Sequence, residues 1–338
     1  MAFKRIQGIP RRTQFILLLI IIVSFAAGMI AARFIPIAIS SNPNPAFSRI
    51  PVRLGPTGLT NSLLYITDGT TPSAQLRGLQ DVIQKAIDQD EKNNLISDAG
   101  VYFHDFTLSQ WTGVNKDHLF SPASLLKVPI MIAYLKVAET SPNILQDQLY
   151  YDGSFDDNLA ENIKPLKEIE KGRSYSANDL LIFMMYYSDN NAMDLLIKHI
   201  GMDAVNEVYT DMHVPIATST IDYLTPQAYS RFFRVLYSAT YLNNTMSEKA
   251  LELLTYPDFP QGIRAGLPEN AIVADKFGER SFGEQEGADK ELHDCGIVYY
   301  PQNPYFLCIM TKGSNFIGME NTLQDISHRV WQQVSGSN

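Results

Sequence analysis

The stretch Phe120-Ser-Pro-Ala-Ser-Leu-Leu-Lys-Val-Pro-Ile130 places a serine, Ser124, three positions before a lysine, Lys127. Residues three apart on a helix lie on the same face, so the Lys127 amine can reach the Ser124 hydroxyl. A serine hydroxyl is a poor nucleophile until a neighbouring base takes its proton, and a desolvated lysine is such a base. The stretch therefore predicts acyl-enzyme chemistry that needs no histidine.

The residues around this stretch predict groups of strands and helices in a definite order. Strands are expected in two places, near the start and near the end of the domain, at residues 99–106, 110–114, 271–277, 295–300 and 306–311. Helices are expected before, between and after these groups, at 73–92, 177–187, 191–200, 226 onward, 246–254 and 323–334. This order predicts an α+β fold, an antiparallel sheet built from both ends of the domain with flanking helices and an inserted all-helical subdomain.

Capping signals mark the starts of two of the predicted helices. Ser176 precedes the helix at 177–187 and is a suitable N-cap. Thr225 and Pro226 together predict a helix whose cap is Thr225 and whose first turn contains Pro226.

Two further motifs complete a set of three. Ser188-Asp189-Asn190 follows a predicted helix, and Lys276-Phe277-Gly278 ends a predicted strand. Each motif alone is weak evidence, but their order and structural contexts together are specific. With these motifs the sequence resembles class A β-lactamases and penicillin-binding proteins, whose marks are S-x-x-K, S-D-N and K-T-G. The resemblance extends from about residue 73 to the C terminus and is richest over 175–196.

The resemblance implies catalytic roles for three residues. Ser124 is expected to be the acylated nucleophile, Lys127 its base or proton relay, and Ser188 the donor of a proton to the leaving nitrogen. We expect Ser188 and Asn190 to point into one cleft from an extended segment, with Asp189 pointing away to brace the loop.

The resemblance also implies a set of substrate-binding residues, namely Asn190, Lys276, Gly278 and His293. Asn190 is expected to bind the substrate's side-chain amide, and Lys276 to attract its carboxylate from the opposite wall. The backbone N–H of Ser124 and one on the strand after Gly278 are expected to form the oxyanion hole. His293 is a candidate second group for the substrate carboxylate, although a structural role is an equally good interpretation.

The sequence departs from the family pattern at two points. Phe277 replaces the hydroxyl residue of K-T-G, so one donor to the substrate carboxylate is lost. The glutamate that activates the deacylating water in class A enzymes lies on a loop after S-D-N. The corresponding interval, residues 212–224, contains no glutamate, and its only carboxylate, Asp222, is expected to be a turn or helix-entry residue. Acylation is therefore predicted to be intact, whereas fast deacylation by the family route is not.

Cys295 and Cys308 are the only cysteines of the chain. They fall on the two strands of a predicted hairpin, so a disulfide is geometrically conceivable. With a turn centred near residues 302 and 303, however, the two cysteines are expected to be diagonal rather than opposite, and buried free thiols are an equal alternative.

The N-terminal region predicts an exported chain. A basic cytoplasmic segment, residues 1–12, precedes a transmembrane signal anchor at 13–37, whose apolar run 15–32 spans roughly 27 Å at about 1.5 Å per residue. A cleaved signal peptide is the alternative. Residues 38–72 are expected to be an extracytoplasmic linker, and 73–338 the catalytic domain, periplasmic or at the cell surface.

The formal net charge of −9 disfavours nucleic acid as a partner. We expect a monomer whose partners are the membrane, through its N-terminal helix, and a β-lactam or peptidoglycan-type substrate. No cofactor is expected and no metal site, because the cysteines and histidines lack zinc-site spacing. The favoured function is an extracytoplasmic serine hydrolase with a Ser124 acyl-enzyme. The alternatives are a D,D-peptidase acting on peptidoglycan stem peptides and a slowly deacylating sensor.

Overall fold

Five antiparallel strands form the central sheet of the computed structural model, which describes residues 58–61, 71–216, 222–283, 287, 289–301 and 303–336. The strand order is β2-β1-β7-β6-β5, with bounds β1 Asp98–Asp105, β2 Gln110–Val114, β5 Val273–Ser281, β6 Lys290–Val298 and β7 Tyr305–Gly313. The N-terminal strand β1 pairs with the C-terminal strand β7. The predicted α+β fold, with a sheet built from both ends of the domain, is therefore confirmed.

Helices cover both faces of this sheet. The described helices are α1 Arg77–Lys92, α2 Lys127–Thr140, α3 Ala177–Tyr186, α4 Asn190–Ile200, α5 Met202–Asp211, α6 Pro226–Tyr237, α7 Asn244–Leu253 and α8 Phe316–Ser335. Helices α1 and α8 share one apolar core with Val101 and Phe103 of β1. Tyr102 points to the other face and belongs to the larger core of α2 to α7. This alternation is expected of a strand that is buried on both sides.

The two predicted helix caps are confirmed. The Ser176 side chain accepts a hydrogen bond from the Asp179 N–H at the start of α3. The Thr225 hydroxyl accepts from the Ala228 N–H, and Pro226 is the first residue of α6. Both caps satisfy backbone donors that the helix itself cannot pair.

Cys295 and Cys308 are opposite residues of the β6–β7 hairpin and form a disulfide. The expected diagonal placement is wrong. Val298 pairs with Tyr305, whereas a turn centred near residues 302 and 303 would place it opposite Leu307. Every cross-strand partner is therefore two positions from the expected one, which puts Cys308 rather than Met310 opposite Cys295.

The first described residues, 58–61, contact the domain. The Leu59 N–H donates to the Glu248 carboxylate on α7 at 2.6 Å, and the Asn61 N–H donates to the Tyr237 carbonyl at 2.6 Å. This part of the predicted linker is therefore bound to the domain. The predicted anchor at 13–37 lies outside the described residues. Within the described ranges, no helix combines the length and apolar character that a membrane span requires.

Candidate active site

Ser124 and Lys127 meet where a short helical turn enters α2. Ser124 lies in the 3₁₀ turn Ala123–Leu126, and Lys127 is the first residue of α2. Residues three apart eclipse one another in a 3₁₀ helix, so the two side chains are aligned. Lys127 Nζ donates a hydrogen bond to Ser124 Oγ at 2.6 Å. The predicted nucleophile and its predicted base are therefore in direct contact.

Lys127 is fully buried and has four oxygen acceptors. Its Nζ donates to Ser124 Oγ, to the carbonyl and hydroxyl of Ser188 at 2.7 and 3.0 Å, and to Asn190 Oδ1 at 2.6 Å. Burial lowers the pKa of Lys127 to about 8, although Glu161 and Asp189 partly oppose this shift. A lysine with this pKa is neutral often enough near neutral pH to act as a base.

Ser188 lies between two lysines. Its Oγ accepts hydrogen bonds from Lys127 Nζ and from Lys276 Nζ, each at 3.0 Å. Its backbone adopts the left-handed region, with φ of 60°, which non-glycine residues rarely occupy. This conformation turns both the carbonyl and the hydroxyl of Ser188 toward Lys127.

Asp189 fixes the backbone on either side of this turn. The buried carboxylate caps α4 by accepting from the Asn191 and Ala192 N–H groups. It also accepts from the Asn158 amide at 3.0 Å and from the Ile169 N–H at 2.7 Å. The expected extended segment is instead a turn followed by a helix start. The expected bracing role of Asp189 agrees with this geometry.

Lys276 comes from strand β5 and is fully buried. Its Nζ donates to Ser188 Oγ and, at 2.9 Å, to the Phe277 carbonyl. Burial lowers the pKa of Lys276 well below its ordinary value, and the nearby charge of Lys127 adds to that shift. The negative charges of Glu161, Asp294 and Asp275 oppose this shift, and a substrate carboxylate beside Lys276 would likewise favour its charged form.

Gly278 allows β5 to approach the nucleophile. A β-carbon at this position would lie 2.9 Å from the Pro122 carbonyl oxygen and 3.1 Å from the Ser124 nitrogen. Only a residue without a side chain fits so close to that turn. The predicted importance of Gly278 therefore has a steric basis.

Glu161 is a site residue that the sequence reasoning missed. Its Oε1 lies 3.7 Å from Lys127 Nζ, and its side chain is only 12% exposed. Burial raises the pKa of Glu161 to about 7, against the opposing charges of Lys127 and Lys276. The family pattern places its glutamate after S-D-N, whereas Glu161 precedes Ser188 in the sequence.

Ser124 opens onto a cleft of about 450 Å³, and the buried Lys127 contacts Ser124 and Asn190 of its lining. Its walls include Ser124, Glu161, Asn190 and Glu279. A nucleophile, a base and a buried cation at the end of a cleft are the components of acyl transfer.

Sequence comparison identifies the family. The model of the β-lactamase enzyme family matches residues 77–334. The chain belongs to this family of serine hydrolases. Among similar proteins, it is 25% identical over 242 residues to the β-lactamase VEB-1 of Pseudomonas aeruginosa, which covers 64% of this chain and 79% of that protein. It is 28% identical over 200 residues to the β-lactamase CTX-M-8 of Citrobacter amalonaticus, covering 54% and 67% respectively.

Solved structures confirm the β-lactamase-family fold. PBP-A matches with a TM-score of 0.65 and 21% identity, over 81% of this chain and 99% of that one. A β-lactamase from Sphaerobacter thermophilus matches with a TM-score of 0.64 and 20% identity, over 76% and 98%. At these identities the similarity shows the fold alone.

Phe277 is the point at which this β-lactamase-family chain departs from K-T-G. Its ring is 4% exposed and stacks on Phe259 with a centroid distance of 4.3 Å. It belongs to the apolar core that α1 and α8 share. The ring therefore contributes to packing on the side of β5 that faces this core.

His293 and Asp222 both have structural partners. His293 is fully buried, its Nε2–H donates to the Ser121 carbonyl at 2.8 Å, and its Nδ1 accepts from the Thr311 N–H at 3.2 Å. Both ring nitrogens are thus engaged, so the geometry favours support of the chain before Ser124 over contact with a substrate. Asp222 pairs with Lys312 on β7, in keeping with the structural interpretation of that carboxylate.

Proposed function

We propose that this protein is an extracytoplasmic serine hydrolase that opens β-lactams or related acyl-D-amino compounds through an acyl-enzyme on Ser124. The observation that carries the proposal is the continuous hydrogen-bonded path from Ser124 Oγ through Lys127 Nζ and Ser188 Oγ to Lys276 Nζ. The β-lactamases among its relatives, at 25% and 28% identity, support the substrate class.

Acylation uses three side chains of this path. The neutral Lys127 amine accepts the Ser124 hydroxyl proton as Oγ attacks the amide carbonyl carbon. The carbon–nitrogen bond of the tetrahedral intermediate then breaks, and the Ser188 hydroxyl gives its proton to the leaving nitrogen. The Lys127 ammonium returns a proton to Ser188, which leaves Lys127 neutral again and Ser124 esterified.

The remaining polar groups hold the substrate and the developing oxyanion. Lys276 attracts the substrate carboxylate, and Asn190 binds the side-chain amide. The Ser124 N–H and a backbone N–H of β5 beyond Gly278 stabilise the oxyanion. The close approach of Gly278 to the Ser124 nitrogen supports this placement, because the donors of an oxyanion hole must converge on one oxygen.

The proposed location rests on the sequence of the N-terminal region. The uncleaved segment 13–37 would anchor the chain, with residues 1–12 in the cytoplasm and the catalytic domain outside. A protease added to cells stripped of any outer membrane and cell wall should then remove the domain and leave the N terminus protected. Protection of the whole chain would contradict the proposed location.

Intact-mass spectrometry of the full chain, purified in mild detergent and mixed with penicillin G, tests the activity. We expect wild-type protein to gain the mass of penicillin and then lose it as hydrolysed product accumulates. The Ser124→Ala variant should gain no mass. A folded wild-type protein that never gains mass would overturn the proposal.

The same measurement separates the alternatives. An adduct that persists for hours supports the sensor function. Cleavage of a synthetic peptide ending in D-Ala-D-Ala, with little penicillin turnover, supports the D,D-peptidase. Rapid loss of the adduct supports the β-lactamase.

A further inference from the structure

Residues 157–163 form a crossing segment that joins the two walls of the cleft. At one end, the Asp157 carbonyl accepts from the Asn190 amide at 3.2 Å, and the Asp157 N–H donates to Asn191 Oδ1 at 2.8 Å. At the other end, Glu279 of β5 accepts from the backbone N–H groups of Asn162 and Ile163. The crossing segment therefore has fixed attachments on both sides of Ser124.

Glu161 lies between these attachments and faces inward. Its Oε1 is 3.7 Å from Lys127 Nζ, which is itself 2.6 Å from Ser124 Oγ. Glu161 Oε1 therefore lies at most about 6.3 Å from Ser124 Oγ. Its Oε2 is enclosed and has no hydrogen-bond partner among the residues that the structure describes. A buried carboxylate oxygen that accepts no hydrogen bond costs free energy. Oε2 is therefore suited to accept a hydrogen bond from a water molecule or from a substrate.

The charge state of Glu161 suits proton transfer. Burial raises its pKa to about 7, while Lys127 and Lys276 keep it from rising further. A general base is most effective when its pKa lies near the working pH. Lys127, with a pKa of about 8, is its nearest proton-exchange partner.

We propose that Glu161 is the catalytic residue that activates the water for hydrolysis of the Ser124 acyl-enzyme, an inference that rests on the proposed function. It enters the site from the crossing segment, which precedes Ser188 in the sequence. The interval after Ser188 in which a glutamate was expected contains none. Glu161 thus supplies a carboxylate from a segment that precedes Ser188 rather than from a loop that follows it.

Hydrolysis of the acyl-enzyme uses Glu161, Lys127 and one water molecule. Glu161 accepts one proton from a water molecule as the water oxygen bonds to the ester carbonyl carbon. The bond between that carbon and Ser124 Oγ then breaks, and the proton passes from Glu161 through Lys127 to Oγ. The products are free Ser124, an ionised Glu161 and the penicilloic acid.

If Glu161 acted only as a counter-ion, its replacement would have a different effect on the two rate constants. A carboxylate that only neutralised Lys127 and Lys276 would affect acylation and deacylation alike, because both steps use the same lysines. A general base for water affects deacylation selectively. The two rate constants therefore distinguish these roles.

The test compares the full-length wild type with Glu161→Gln, Glu161→Asp and the matched control Glu170→Gln. Glu170 lies in the same connection before β4 (Arg173–Ser176), but its carboxylate is exposed and forms an ion pair with exposed Arg173. Penicillin G acylation and adduct loss are followed by intact mass from pH 5.5 to 8.5. Urea midpoints verify that each variant is folded.

We expect Glu161→Gln to acylate within about tenfold of the wild-type rate but to lose its adduct at least 100-fold more slowly, within the range of a lost general base. Its deacylation should also lose the wild-type decline below pH 7, because glutamine does not titrate. Glu161→Asp should restore part of the rate, and Glu170→Gln should match the wild type.

Three results would overturn the inference while leaving the proposed function intact. Adduct loss from Glu161→Gln at the wild-type rate removes any role in deacylation, and equal slowing of both steps assigns Glu161 a counter-ion role. A wild-type adduct that is never released shows acylation without activated water, which leaves the Ser124 chemistry intact. Absence of any wild-type adduct instead overturns the proposed function, and this inference with it.

Discussion

The Asn158 amide nitrogen donates a hydrogen bond to the buried Asp189 carboxylate at 3.0 Å, and Asn158 Oδ1 accepts from the Asn190 N–H at 2.8 Å. One side chain thus holds both the residue after Ser188 and the first residue of α4. The left-handed turn at Ser188 is stabilised from outside, by a residue about thirty positions earlier in the chain.

Replacing Asn158 with alanine should loosen this turn. The variant leaves a buried carboxylate oxygen of Asp189 short of one donor, so we expect unfolding in urea to show a loss of about 1–3 kcal/mol. Penicillin acylation should also slow, because Ser188 is no longer held toward Lys127. Asn93→Ala, at the exposed end of α1, is the matched control and should change neither. Unchanged stability of Asn158→Ala would show that the Asn158–Asp189 hydrogen bond makes no net contribution to the free energy of unfolding.

Replacing Lys127 with alanine should slow acylation strongly. Removal of a positioned base typically costs about 10²–10⁴-fold in rate, and no other described nitrogen contacts Ser124 Oγ. The rate of penicillin adduct formation measures the effect. Lys85→Ala on the exposed face of α1 serves as the control. Rapid adduct formation by a folded Lys127→Ala variant would identify a different base.

The acylation rate should rise with pH through about 8. The pKa of Lys127 is lowered to that value by burial, and only the neutral amine accepts the Ser124 proton. Below pH 8 the protonated fraction grows, so the rate should fall about tenfold per pH unit well below the pKa. Stopped-flow measurement with a chromogenic β-lactam gives the profile. A rate that is constant from pH 6 to 9 would contradict this assignment.

Replacing Gly278 with alanine should impair catalysis more than stability. The new methyl group would lie 3.1 Å from the Ser124 nitrogen and 2.9 Å from the Pro122 oxygen, which pushes β5 away from the nucleophile. We expect at least a tenfold loss of acylation, because small displacements at a reacting centre are costly. Gly78→Ala in α1 meets nothing within 4 Å and should be neutral or stabilising by up to about 1 kcal/mol. Equal acylation rates for the two variants would show that the gap at Gly278 is larger than the structure indicates.

The sequence predicted those parts of the site that depend on short spacings. Ser124 and Lys127 are three residues apart, so helix geometry alone was sufficient to place them together. Caps such as Ser176 and Thr225 were predictable for the same reason, because a cap is a local hydrogen bond.

Long-range and register-dependent features were harder to predict. The position of Glu161 near Lys127 depends on the hydrogen bonds of the crossing segment to Asn190 and Glu279. These contacts join residues far apart in the sequence, so a local sequence pattern does not predict them. The short strands β3 (Gln148–Tyr151) and β4 lack a continuous apolar alternation, so periodicity gave no signal for them. The Cys295–Cys308 pairing depended on one residue in a turn, which hydrophobic pattern does not determine.

The pairing of β1 with β7 has a consequence for synthesis of the chain. Strand β1 is completed about 200 residues before β7, which at roughly 5–20 residues per second corresponds to about 10–40 s of translation. Throughout that time β2 can occupy one edge of β1, whereas the edge that later receives β7 is open to a foreign strand. A nascent chain of this protein is therefore expected to depend on a chaperone that covers exposed strands until the C-terminal hairpin is made.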